Sequence, residues 1–174
     1  HPDARARQRA AEALAAVAGA GDERAIAALS AGLRHGSEGV RRTALGALSR
    51  EVESGDPRAI SAVSACLQDP DLEVRLEVVR VLTRAFAKGS EQAIHAVGMG
   101  LRDTSAEVRL QALQALIEAA ERGDTRAVDA IGEHFNDLNA GTRTLVAEKL
   151  NRVAEMGDRA VMVAVRACLK DGLA

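Results

Sequence analysis

The apolar positions of this chain fall in helical stripes, and the stripes come in pairs. Within residues 55–88, Ile60, Val63 and Leu67, with Ala59 beside them, mark one face of a first helix. Asp56 followed by Pro57 supplies an N-cap acceptor and then a proline at the first helical position. Asp69-Pro70-Asp71 breaks that helix. A second stripe follows at Val74, Val78, Val79, Leu82 and Phe86, and it stops at Gly89, a residue suited to a left-handed C′ position.

The same pair returns along the chain with a period of 34 residues. Gly21, Gly55, Gly89, Gly123 and Gly157 share one column, each followed by Asp or Ser (Asp22, Asp56, Ser90, Asp124, Asp158). The second helices have their own cap column: Asp3, Ser37, Asp71, Ser105 and Asn139. Val-Arg recurs at Val40-Arg41, Val74-Arg75 and Val108-Arg109, and weakens to Thr142-Arg143 and Ala6-Arg7. A fixed period of this kind marks a repeat architecture. First helices are expected near 22–33, 56–67, 90–101 and 124–135, and second helices near 37–54, 71–88, 105–122 and 139–156. A lone second-type helix over 3–20, with Ala10, Ala11, Leu14, Val17 and Ala18 inward, and a lone first-type helix over 158–170 bring the expected total to ten. The expected fold is all-α, a right-handed α-solenoid in two layers. It is a single array over 1–174: half repeat 1–20, full repeats 21–54, 55–88, 89–122 and 123–156, and half repeat 157–174. Natural arrays end in polar caps, whereas the last helix reads VMVAVRACL. The expectation is an array cut from a longer one, with end-to-end contacts through its terminal helices.

Composition fits such a stack. Aromatics are 1% of the 174 residues, two Phe with no Trp or Tyr, so packing rests on Ala, Val, Leu and Ile. The net charge of −2 lacks the basic face of a nucleic-acid binder. Cys66 and Cys168 lie in one column, three repeats apart, too far to share a disulfide or a metal. No disulfide framework argues for secretion, no apolar run reaches membrane length, and no charged-then-apolar leader opens the chain. An intracellular protein without membrane insertion is expected.

The period admits other repeat families, but the Trp-Tyr-Phe pattern of tetratricopeptide repeats and the Thr-Pro-Leu-His turn of ankyrin repeats are absent. With Asp after the first helix (Asp69, Asp103, Asp137, Asp171) and Arg in the second (Arg75, Arg109, Arg143), the chain resembles the HEAT family, in the short form also found in phycobilisome lyases. The resemblance covers essentially the whole chain. It implies that Asp69, Arg75, Asp103, Arg109, Asp137 and Arg143 form a structural ladder between layers. His35 takes the Asp column at one end, with Arg41 still present.

Chemistry is hard to find. His1, His35, His95 and His134 have no partner at ligand spacing, and no His-Glu pair of the kind that holds iron in the HEAT enzyme deoxyhypusine hydroxylase occurs. The HEAT-like proteins that remove alkylated bases use a basic groove lined with aromatics, and those parts are missing here. The glycines are helix stops and form no phosphate loop. No catalytic, cofactor-binding or metal site is expected. What remains is a surface. The resemblance implies that the second helices line the inner, concave face, and their columns there read Arg42, Leu76, Leu110, Thr144; Gly46, Arg80, Gln114, Glu148; Ser49, Thr83, Ile117, Asn151; and Arg50, Arg84, Glu118, Arg152. Leu76, Arg80, Thr83, Leu110, Gln114 and Ile117, with Arg42 and Arg84, form the candidate protein-binding patch, since apolar groups among Arg and polar groups resemble an interface. The expected function is a non-catalytic scaffold for another protein or peptide segment. The alternative is a chromophore-lyase-like or other partner-dependent enzymatic subunit, with Cys66 as thiol carrier.

Overall fold

A computed structural model describes residues 21–135 and 140–155, together with single helical positions at 6, 9, 13 and 163. Among the described residues the regular elements are all helical. They are α1 (Glu23–Gly32), α2 (Glu38–Glu53), α3 (Pro57–Ser64), α4 (Leu72–Ala87), α5 (Glu91–Met99), α6 (Ala106–Glu121), α7 (Thr125–Phe135) and α8 (Ala140–Glu155). These are the four expected pairs. The expected helices over 3–20 and 158–170 lie outside the continuously described residues, as do Asp137, Asn139 and Cys168. Two first helices tighten before they end, into the 3-10 turns Ala65–Gln68 and Gly100–Arg102. Both end on an extended aspartate, Asp69 at φ −61°, ψ 137° and Asp103 at φ −58°, ψ 148°, a conformation that Pro70 also favours for the residue before it.

The repeat is built by its junctions. After α2, the Asp56 amide donates to the Glu51 carbonyl at 3.0 Å and the Gly55 amide to that of Val52 at 3.0 Å, the paired bonds of a Schellman stop. Gly55 has φ 85°, a left-handed value that a β-carbon would strain. The Asp56 side chain then accepts from the amides of Arg58 and Ala59, starting α3. One residue closes a helix with its backbone and opens the next with its carboxylate. Ser90 and Asp124 close α4 and α6 in the same way. Of the second-helix caps, Asp71 and Ser105 accept from helix amides, whereas Ser37 makes no side-chain cap bond.

The chain falls into two compact units, His1–Ala93 and Ile94–Ala174, with the division inside α5. In the first unit α1 packs on α2 and α3 on α4, while α1 meets α3 and α2 meets α4. Leu45, Leu48, Ile60 and Leu82, with Val52, Val63 and Val74, are fully buried in its core. A β-carbon on Gly32 would meet that of Ala44 at 3.0 Å, so glycine there lets α1 sit close on α2. In the second unit α6 packs against α7, α8 and the turn Gly100–Arg102, around Leu101, Leu116, Ile131, Phe135 and Leu150. Each fully buried leucine contributes about 1.5–3 kcal/mol, which lets the units dispense with Trp and Tyr.

Candidate functional site

The Asp and Arg columns sit at the turns between paired helices. Asp69 Oδ1 accepts from the amide of Asp71 at 2.9 Å, and Asp103 Oδ1 from that of Ser105 at 2.7 Å. His35 takes this amide-accepting role as well: its Nδ1 accepts from the Ser37 amide at 3.0 Å. An imidazole can hold the turn, but it offers no carboxylate to a guanidinium. Arg41, Arg75 and Arg109 each aim Nη1 at two carbonyls of their own turn: His35 and Gly36, Asp69 and Pro70, Asp103 and Thr104. Arg41 also reaches into the next repeat. Its Nε and Nη2 donate to the two Asp69 oxygens at 2.7 and 2.8 Å. This is a bidentate pair between residues that are both 9% exposed, and the Asp69 hydrogen bond raises the Arg41 pKa. The buried Nε of Arg109 meets no acceptor among the described residues, and Asp137, one repeat beyond Asp103, lies outside them.

The second helices present narrow solvent stripes. On α4 the stripe is Glu73, Glu77, Arg80, Arg84 and Ala87. Arg80 Nη1 is held by Glu77 at 2.7 Å, and Arg84 Nη1 by Glu53 of α2 at 3.2 Å. Arg42 of α2 is exposed and pairs with Glu38 at 3.3 Å. Thr83 is half-buried and turns its hydroxyl onto the Val79 carbonyl. Leu76 is only 7% exposed. At about 100° per residue it falls on the flank of this stripe, on a helix whose remaining circumference is largely buried. Leu76 is therefore packing, and the expectation that it offers contact surface is corrected.

On α6 the stripe is Glu107, Leu110, Gln114, Glu118 and Glu121. Leu110 is 49% exposed, and the Gln114 amide donates to Glu118 at 3.0 Å. Ile117, expected to be part of the contact patch, is 5% exposed and is likewise corrected to a packed position. It still lines the base of a groove of about 480 Å³ between α6 and α8, with Leu110, Leu113, Gln114, Glu118 and Glu121 on one side and Leu145 and Lys149 on the other. The columns carried a signal for the α8 wall. Leu145 stands where earlier repeats have Thr43, Glu77 and Gln111, and Lys149 where they have Ala47, Val81 and Ala115.

Cys66 lines a smaller hollow of about 270 Å³ with Ser30, Leu33, Arg34 and Asp69. It is buried, and burial pushes its thiol pKa up. That is the profile of a packed cysteine, since reactive thiols sit in exposed, electropositive surroundings. Among the described residues no three His, Cys, Asp or Glu side chains gather as a metal site would require, and no helix is long and apolar enough to cross a membrane.

Two-helix units joined by such turns define the class: an α-helical repeat protein. A family model for HEAT repeats matches residues 1–83, 31–117 and 60–151, and the chain belongs to the HEAT-repeat family. Comparison with curated proteins finds no match. Among solved structures, an engineered protein from the Northeast Structural Genomics Consortium is similar at 20% identity and TM-score 0.53, over 98% of this chain and 91% of its own. A designed armadillo repeat protein is similar at 19% identity and TM-score 0.46, over 95% and 92%. Another, solved in complex with the peptide (KR)4, is similar at 20% identity and TM-score 0.46, over 86% and 64%.

Proposed function

We propose that the chain is an interaction scaffold without chemistry of its own, binding another protein along the solvent stripes of its second helices. HEAT repeats, as a family, commonly serve protein–protein interaction. The observation that carries the reading here is the pair Arg80 and Arg84 on α4. Both guanidinium groups are about half exposed, and each is held in place by a carboxylate from Glu77 or Glu53. An arginine fixed on a rigid helix loses less side-chain entropy on binding, and arginine is among the residues enriched at interface hot spots. The thiol-carrier alternative has no comparable support, because Cys66 is buried.

The test is the double variant Arg80→Glu/Arg84→Glu. Its affinity for the partner that co-purifies with the chain should fall at least about tenfold, a loss of about 1.4 kcal/mol, with unchanged helix content and melting. Unchanged affinity refutes the reading.

A further inference from the structure

The groove between α6 and α8 has an apolar base and two walls of opposite charge. Leu110, Leu113 and Ile117 recur at helical spacing along α6, and Leu145 faces them from α8. Glu118 and Glu121 stand on the α6 side and Lys149 on the α8 side. No ion pair joins them, and neither carboxylate has a cationic partner among the described residues. The first unit differs at the equivalent positions. There Glu53, the counterpart of Glu121, is held by Arg84 and Lys88, and Val81, the counterpart of Lys149, is fully buried. The carboxylate that is neutralised beside a buried valine in the first unit stands beside an exposed lysine between α6 and α8.

We infer that this groove takes one amphipathic helix of a partner protein, apolar face down, with Arg or Lys along the edge facing α6 and Glu or Asp along the edge facing α8. The inference rests on the scaffold reading and names the chemistry of what is bound. The opposite charges of the two walls set the partner's edge charges, since complementary potentials fix register and exclude wrong partners. Both walls are helices whose backbone groups are bonded internally. The groove thus has no open strand edge to receive the amides of an extended segment, whereas a helix arrives with its own backbone satisfied. From Leu110 to Glu121 the α6 side measures about 16 Å at 1.5 Å per residue, or about three turns of a partner helix. Apolar residues on its period of three to four would seat against Leu110, Leu113 and Ile117 as ridges into a groove.

The experiment is fluorescence anisotropy on the intact chain with synthetic helical peptides of about four turns. The first carries Leu on one face, Arg on one edge and Glu on the other. Its twin carries Glu on both edges, because an exchange of edges is undone by turning the helix end for end in the groove, and a third replaces Leu by Ser. The first peptide is expected to bind at least about tenfold tighter than either of the others and to gain helicity on binding. Glu118→Lys/Glu121→Lys, which makes both walls cationic, should reverse the preference between the twins. Leu110→Ser should weaken both, and Ser61→Arg, on the exposed first-helix column, should leave the peptide affinities unchanged. Equal affinity for the twins, or a preference that the double charge variant leaves intact, overturns the inference. So does binding without gain of helix, or a groove that takes small apolar molecules but none of the peptides. Should the natural partner be lost on Arg80→Glu/Arg84→Glu yet bind every groove variant normally, the groove inference fails while the scaffold reading stands.

Discussion

Replacing Arg41 by methionine isolates the inter-repeat ion pair. The change keeps most of the aliphatic stem and removes the guanidinium, leaving Asp69 9% exposed with one oxygen still bonded to the Asp71 amide and the other bare. Removing one partner of a buried pair costs about 3–5 kcal/mol, because the remaining charge is uncompensated. The carbonyls of His35 and Gly36 lie on part-buried bonds that water can replace, and Asp69 keeps one bond. The expected loss is therefore at the lower end, about 3 kcal/mol. Urea unfolding followed by circular dichroism reads it as a shift of midpoint at constant slope. Arg42→Met, on an exposed residue paired with Glu38 at 3.3 Å, is the control and should stay within about 0.5 kcal/mol. Arg41→Met/Asp69→Asn should recover more than half of the loss, as coupled neighbours do. Equal costs at Arg41 and Arg42, or strict additivity in the double variant, would refute the account of the pair.

Three further outcomes follow from the structure. Leu76→Ala should cost about 2–4 kcal/mol in the same assay as a buried deletion, whereas Leu110→Ala, half exposed, should cost under about 1 kcal/mol. The Arg58 guanidinium beside Asp56, and Arg126 beside Asp124, hold both carboxyl pKa values down. Their stabilisation is thus complete above the unfolded value of about 3.9 and is lost as pH falls through the lower folded value. Asp56→Asn/Asp124→Asn should flatten the acid limb of a stability–pH curve, and an unchanged limb counts against these pairs. In a chain carrying Cys168→Ser, Cys66 should react with a thiol reagent at least about tenfold more slowly when folded than in urea; equal rates would return the thiol-carrier alternative to contention.

The helices were legible because their signals are local and repeated. Asp56-Pro57, the Asp-Pro-Asp break and the glycine column each act within a few residues, and the period shows them several times. Burial at a repeat column was not legible in the same way. Leu76 and Leu110 occupy one column and differ from 7% to 49% exposure, because exposure depends on how neighbouring helices flank a stripe only about one residue wide per turn. The groove was half legible. Leu145 in a polar column and Lys149 in an apolar one mark α8 as different, but only the structure shows Lys149 across an apolar base from two carboxylates without ion-pair partners.

The scaffold reading puts partners on the second-helix stripes. A photo-crosslinking residue placed singly at Arg42, Arg80, Leu110 and Gln114, and for comparison at the exposed first-helix column Ser61, His95 and Asp129, tests it most directly. With the co-purifying partner bound, adducts are expected from second-helix positions and not from the first-helix column. Adducts formed chiefly from Ser61, His95 and Asp129, or equally from both sets, would contradict the claim.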